Sequence, residues 1–173
     1  ENSEVEKIDK NNSNINSIAI SASAIEGIVD VRMLRPSMMV VTTNIEGGPK
    51  PEINVEEHNE EDAEKQRNKI RKICEEVWNL ESSKNLRWLF ITDDDINLKR
   101  DDWKRKLLWQ LFCRFDVGRD IHFDKTKQRI AWDATAPIPS KNGPLPVRRW
   151  PAVTLHDKDM LEKVQNMMKR MGY

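Results

Sequence analysis

The densest concentration of potential chemistry in this sequence is an acidic triplet, Asp93-Asp94-Asp95, directly after the apolar run Arg87-Trp-Leu-Phe-Ile-Thr92. Carboxylates at a strand end can chelate a hard cation, take a phosphoryl group, or hold backbone N–H groups and arginines in place. As a calcium loop, Asp93, Asp95 and Asn97 supply the D-x-D-x-N start. The loop then fails, because Leu98 and Lys104 stand where it needs a glycine and a bidentate Glu. A phospho-receiver carries its acidic pair on the first strand, whereas these acids sit mid-chain and few, short strands follow. The structural reading fits best: the carboxylates accept N–H bonds from a following helix start and pair with Arg114 or Arg119.

A second charged stretch, Arg114-Phe-Asp-Val-Gly-Arg-Asp120, alternates sign after a helix. It reads as a salt-bridged turn, with Gly118 suited to a left-handed helix end; an anion or subunit contact is the functional alternative. His58, His122 and His156 are dispersed, as are Cys74 and Cys113, so neither a hydrolytic triad nor a metal-ligand spacing appears. Gly47-Gly48-Pro49 has neither the Lys-Ser/Thr of a phosphate loop nor a dinucleotide-binding spacing. The six tryptophans, Trp78, Trp88, Trp103, Trp109, Trp132 and Trp150, read as core and interface anchors.

Charge bounds the partners. Lys plus Arg is 29 and Asp plus Glu is 29, so no basic excess exists to neutralise a phosphate backbone, and nucleic acid is not an expected ligand. No apolar run approaches the roughly 20 residues of a membrane span, and the acidic, Asn-rich start does not read as a signal peptide. Two cysteines outside any CxxC argue for free thiols, with the cytoplasm as the expected compartment.

The elements that must position these groups follow from periodicity. Residues 1–24 read as a flexible arm, within which Ile18–Ile25 alternates like an extended entry to the fold. Ile28–Leu34 and Met38–Thr43 are β-branched strands joined through Arg35-Pro36-Ser37. A helix is expected from about His58 to Leu80, with Ile70, Ile73, Cys74, Val77 and Trp78 on one face. Arg87–Thr92 is a buried strand. A second helix spans about Asp101 to Phe115, capped by Asp101 or Asp102, with Leu107, Leu108, Leu111, Phe112 and Phe115 as its inner stripe. Short strands follow at Asp120–Phe123 and Arg129–Asp133, then a proline-rich tether. A last helix from about Asp157 carries Met160, Leu161, Val164, Met167, Met168 and Met171 on one face. The order predicts an α/β layered domain over residues 25–150, a mixed sheet flanked by helices. Residues 151–173 form a tethered C-terminal helix placed at a subunit interface, with Leu161 and Met168 as contacts.

These residues resemble a known family. The segment Leu86-Arg-Trp-Leu-Phe-Ile-Thr-Asp-Asp-Asp-Ile-Asn97 is similar to a strand and acidic turn of UbiD-type decarboxylases. Asp102-Trp103, Leu108-Trp109, Arg114-x-Asp-x-x-Arg-Asp120 and Trp132-Asp-Ala-Thr135 follow in the family's order. Ile28-Val-Asp30, Ser37-Met-Met-Val-Val-Thr-Thr43 and a helix bearing Trp78 resemble the portion before it.

The resemblance implies an enzyme class that interconverts aromatic or α,β-unsaturated carboxylic acids with CO2 and the decarboxylated product. The family does so on prenylated FMN, whose phosphate is held by a divalent metal and a monovalent cation. It implies that the catalytic groups belong to a flavin domain that these residues do not resemble, so no catalytic, cofactor or metal residue is assigned here. The expectation is the C-terminal domain acting as a separate small subunit. It would form a hetero-oligomer with a larger UbiD-like, flavin-binding chain, helping assembly and active-site closure. The rival is a non-catalytic interaction module on the same fold. Thr42, Thr43 and Asn44 match a part of the family near the cleft and are candidates for the substrate-pocket rim. Asp93, Asp94, Asp95, Arg114, Asp120 and Asp133 are assigned structural or interface roles. The interval Ile121–Trp132 is shorter than in full-length relatives, which argues against a direct substrate contact there.

Overall fold

The computed structural model describes residues 17–44, 60–141 and 158–171. Gly47-Gly48-Pro49, His58, Trp150 and His156 lie outside them. Residues 17–23 are helical (α1), not extended. Ile18, Ala22 and Ile25 fall at i, i+4 and i+7, a helical stripe as good as the alternation. Ile18 and Ala22 are buried in the core, and Ile25 packs against it.

Strands β1 (Ile28–Arg35) and β2 (Met38–Thr43) form an antiparallel pair. Helix α2 (Glu60–Asn79) and a short 3-10 turn (Glu81–Asn85) lead to β3 (Trp88–Asp93). Helix α3 (Trp103–Arg114) is followed by β4 (Ile121–Phe123) and β5 (Ile130–Asp133), and α4 covers Lys158–Arg170. The sheet order is β1-β2-β3-β5-β4, with β2, β3 and β5 parallel and both edges antiparallel. The expected layered α/β domain with a mixed sheet is what forms.

Side-chain alternation sorts the parallel strands onto two faces. Met39, Val41, Leu89, Ile91 and Ala131 lie under Ile70, Ile73, Cys74 and Val77 of α2. Glu60, Glu61 and Asp62 open α2 where the helix dipole favours acids. Its outer side carries ion pairs such as Lys65–Glu61 at 2.6 Å and Arg67–Glu64 at 2.7 Å. The opposite face packs Val40, Ile96, Leu98, Trp103 and Leu107 around α3, with Phe90 and Leu111 alongside. Arg32 crosses from β1 to bond the Leu98 carbonyl and lies 5.1 Å over the Trp103 ring.

α3 is rotated from the expected stripe. Its buried line is Trp103, Leu107 and Gln110, whereas Leu108 and Phe112 are exposed. The line continues into Arg114, so the helix sends Gln110 and Arg114 toward the acidic strand end rather than burying Leu108 and Phe112. Asp102 holds the position before α3 but makes no side-chain capping bond. It instead lies 3.4 Å from Lys106. Gly118 is not left-handed; among the described glycines only Gly27 is, at φ 89°.

Candidate functional site at the strand ends

The three parallel strands end together. Thr43 of β2 is level with Asp93 of β3, and Asp133 of β5 is level with Ile91. This carboxyl end of the sheet is where open α/β folds place ligands. The acidic triplet enters it through β3. Thr43 donates to the Thr92 carbonyl at 3.3 Å, and the Asp94 N–H donates to the Thr43 carbonyl at 3.0 Å.

Arg114 is the partner of Asp93, and the pairing with Arg119 does not occur. Arg114 Nη1 donates to Asp93 Oδ2 at 2.6 Å, and its Nη2 lies 3.7 Å from Asp95. The Ala136 N–H donates to the same Asp93 Oδ2 at 2.9 Å. Arg119 instead clamps Asp120, donating from Nε at 2.5 Å and from Nη2 at 2.6 Å, and also donates to the Arg114 carbonyl at 2.8 Å. Asp120 Oδ2 accepts the Asp116 N–H at 2.7 Å, so the post-helix turn is salt-bridged as its alternating signs suggested. The Asp133 N–H then donates to the Asp120 carbonyl at 2.9 Å. Asp133 Oδ1 accepts from the Thr135 N–H at 2.9 Å and its hydroxyl at 2.7 Å.

Desolvation dominates the electrostatics. Burial pushes the Asp93 carboxyl up to about 6, although the Ala136 N–H and the Arg114 charge pull it down. Burial pushes Asp133 up to about 7 against the Thr135 hydroxyl, and the Asp120 and Asp93 charges push the same way. Asp120 is raised by burial, which the Arg119 bond opposes. Cys74, beneath Asp133, is raised by burial and by that carboxyl's charge, so it stays a thiol. Carboxyls titrating near neutrality are often found at working sites. Here, however, their oxygens are engaged by arginines and backbone N–H groups that tie β3, β5 and the turn after α3 together.

The site thus gathers Asp93, Asp95, Arg114, Asp120, Asp133 and Thr43. Asp94 and Asn44 are exposed at its edge, and Thr42 is buried in β2. Leu161 and Met168 sit on α4 with their side chains exposed. Sequence reasoning missed two glutamines. Thr92 Oγ1 donates to Gln110 Oε1, and Gln110 Nε2 donates to Asp95 at 2.7 Å. Gln66 Nε2 donates to the Ala136 carbonyl at 2.8 Å and its Oε1 accepts the Ile138 N–H at 3.0 Å, tying α2 to the chain after β5. The available signal was a polar residue on an otherwise apolar line: Ala63, Gln66, Ile70 and Trp103, Leu107, Gln110.

The described residues at these strand ends do not suit a flavin phosphate. A phosphate at these strand ends meets Asp93, Asp94 and Asp95, while Arg114 is already committed to Asp93. Among the described residues no three His, Cys, Asp or Glu side chains converge to hold a metal. No described helix is long and apolar enough to cross a membrane.

Residues 15–144 match the family model of the 3-octaprenyl-4-hydroxybenzoate carboxy-lyase C-terminal domain, well over half of the chain. No curated protein matches the sequence. Among solved structures, the open form of the vanillic acid decarboxylase ShVdcCD of Sedimentibacter hydroxybenzoicus aligns with TM-score 0.50 and 12% identity, covering 91% of this chain and 33% of that one. Its closed form aligns with TM-score 0.51 and 12% identity over 88% and 31%. HmfF of Pelotomaculum thermopropionicum, an evolved dimeric form in complex with prFMN, gives TM-score 0.47 and 14% identity over 86% and 29%. The chain therefore spans about a third of the length of these solved chains.

Proposed function

Because this chain belongs to the UbiD carboxy-lyase C-terminal domain family, we propose that it is the small subunit of a heteromeric prenylated-FMN-dependent carboxylase or decarboxylase. The substrate class is an aromatic or α,β-unsaturated carboxylic acid. A larger UbiD-like partner binds the flavin with its divalent metal and monovalent cation, and this chain contributes assembly and active-site closure. The carrying observation is the strand-end network. The position where an α/β sheet offers its reactive groups is occupied here by Asp93–Arg114 and Asp120–Arg119 pairs that brace the fold. Uncovered apolar side chains on α3 and α4 support a domain built to meet another polypeptide.

Three further features favour this reading. The matched vanillic acid decarboxylase exists in open and closed forms, and one of its open forms contains a truncated ShVdcD. Asn44 ends β2 exposed at the rim of the carboxyl edge, where a domain closing over a pocket would present it, whereas Thr42 and Thr43 are buried behind it. The cysteines, one buried and one exposed, are both free, in keeping with a reducing cytoplasm.

The test is to isolate the protein from its source under native conditions. A co-purifying larger chain with flavin absorbance is the expected result. A stable, colourless assembly of this chain alone would favour the interaction-module rival. A flavin domain continuous with this sequence in one polypeptide would reject the split arrangement.

A further inference from the structure

The chain leaving β5 is fastened to the domain by side chains. The Ala134 N–H donates to the Ile91 carbonyl at 2.8 Å. Beyond it, Asp133 Oδ1 accepts the Thr135 N–H and hydroxyl, and Asp93 Oδ2 accepts the Ala136 N–H. Gln66 holds the Ala136 carbonyl and the Ile138 N–H, and Glu60 Oε1 accepts the Lys141 N–H at 2.5 Å. Pro137 and Pro139 have no N–H to give to a ladder. Residues 134–141 thus form a strap from the sheet end to the start of α2, with Ala134, Thr135, Pro139 and Ser140 buried.

Two of its anchors are carboxyls that are costly to cover when charged. Asp93 shares its Oδ2 with Arg114 of α3, while Asp94 and Asp95 on the following turn repel it. Asp133 faces Asp93 from β3, the thiol of Cys74 from α2, and Asp120, itself clamped by Arg119, from the turn after α3. Gln66 is neutral. Burial raises Asp93 to about 6 and Asp133 to about 7, outweighing the strap's N–H groups that lower them. A carboxyl raised by burial holds its proton more tightly under cover than in water. Lifting the strap hydrates both groups, so opening releases protons and grows easier as pH rises.

We infer that residues 134–141 are a proton-dependent strap, closed over Asp93 and Asp133 in acid and lifting as the solution turns alkaline. Opening moves the last described anchor before α4 from Lys141 back to Asp133. The connection to α4 gains eight residues, about 25 Å when extended. The strap is internal to this chain, so the inference is independent of the split-enzyme reading.

The test is amide hydrogen exchange of the full chain, resolved by nuclear magnetic resonance from pH 5.5 to 8.5. Each rate is divided by that of an unstructured peptide at the same pH. Protection at Ala136 and Ile138 should fall about tenfold per unit from pH 6 to 7, one proton released per opening, and level off above 8. The Leu89 and Ile91 amides of β3 should stay better protected throughout. Asp133→Asn should flatten most of the fall and keep the strap closed at pH 8. Gln66→Ala should speed exchange at both strap amides at every pH and leave the slope. A flat wild-type profile would overturn the inference. So would one common rate for strap and β3, a slope undiminished by Asp133→Asn, or unchanged exchange in Gln66→Ala.

Discussion

On one face of the sheet, Met39, Val41, Leu89 and Ile91 lie under α2 and are shut off from water. On the other, Val40 is covered by Trp103 and Leu107, yet Trp88 remains 38% exposed and α3 turns Leu108, Trp109 and Phe112 outward. Trp132 stacks on Phe115 at 5.0 Å and lies 6.0 Å from Phe90, extending the aromatic surface along this second face. The first face is a finished core held by burial of aliphatic side chains. The second stops halfway, and its unfinished half is aromatic and basic, a composition suited to a subunit contact. One side of the sheet is therefore closed and the other leaves apolar surface uncovered among the described residues, with the strand-end ion pairs as the seam between them.

The sharpest way to break this division is to cut into the finished side. Ile70→Ala, at a fully buried position under the sheet, should cost about 3–4 kcal/mol. Urea unfolding of the isolated chain reads the effect. A cost under about 1 kcal/mol would show that the α2 face does not carry the fold.

Next comes the seam. Arg114→Met leaves Asp93 buried without its cation and should cost about 3 kcal/mol at pH 8. Asp93 already titrates at about 6 because of burial, and losing the arginine raises it further. The penalty should therefore shrink as acidification protonates the carboxyl. A pH-independent loss would contradict a desolvated Asp93.

Asp133 sharpens the same point with the opposite sign. Its carboxyl is held up at about 7 by burial, from an ordinary 3.8. The folded state binds this proton more tightly than the unfolded chain does. Its contribution is thus fully present below about pH 4 and is lost as pH rises through about 7. Asp133→Asn keeps the oxygen that accepts from Thr135 and cannot ionise. It should raise stability at pH 8 by up to about 4 kcal/mol, and leave it nearly unchanged at pH 4. Equal urea-midpoint shifts at both pH values would refute the burial argument.

The smallest expected effect lies on the unfinished side. Leu108→Ser, at an exposed position of α3, should stay within about 0.5 kcal/mol of the parent in intrinsic stability, measured at protein concentrations low enough to dissociate assemblies. A core-sized loss would mean that this face is already folded upon.

The strands and the order of elements were legible because β-branched runs and helical stripes carry their own period, as at Met38–Thr43 and from Ile70 to Trp78. The acidic strand end was legible by composition, and so was the failure of the calcium pattern at Leu98 and Lys104 and of the receiver pattern in the mid-chain place of the acids. Three features were hidden. The rotation of α3 depends on Gln110 and Arg114 reaching acids that only the sheet brings near, so a purely apolar stripe through Leu108 and Phe112 misled. The helix at 17–23 was hidden because Ile18 and Ala22 lie on both the alternating and the helical stripe, and tertiary packing decides between them. The choice of Arg114 over Arg119 for Asp93 depends on where α3 ends relative to β3, a distance that no sequence spacing encodes.

The central claim, that this chain completes a flavoprotein and does no chemistry alone, is tested most directly by reconstitution. CO2 release from an aromatic or α,β-unsaturated acid would be measured with this chain, with the larger flavin-bearing chain from the same source, and with both. The account predicts turnover by the pair and none by this chain. Sustained turnover by this chain in the absence of any flavin or second polypeptide would contradict it.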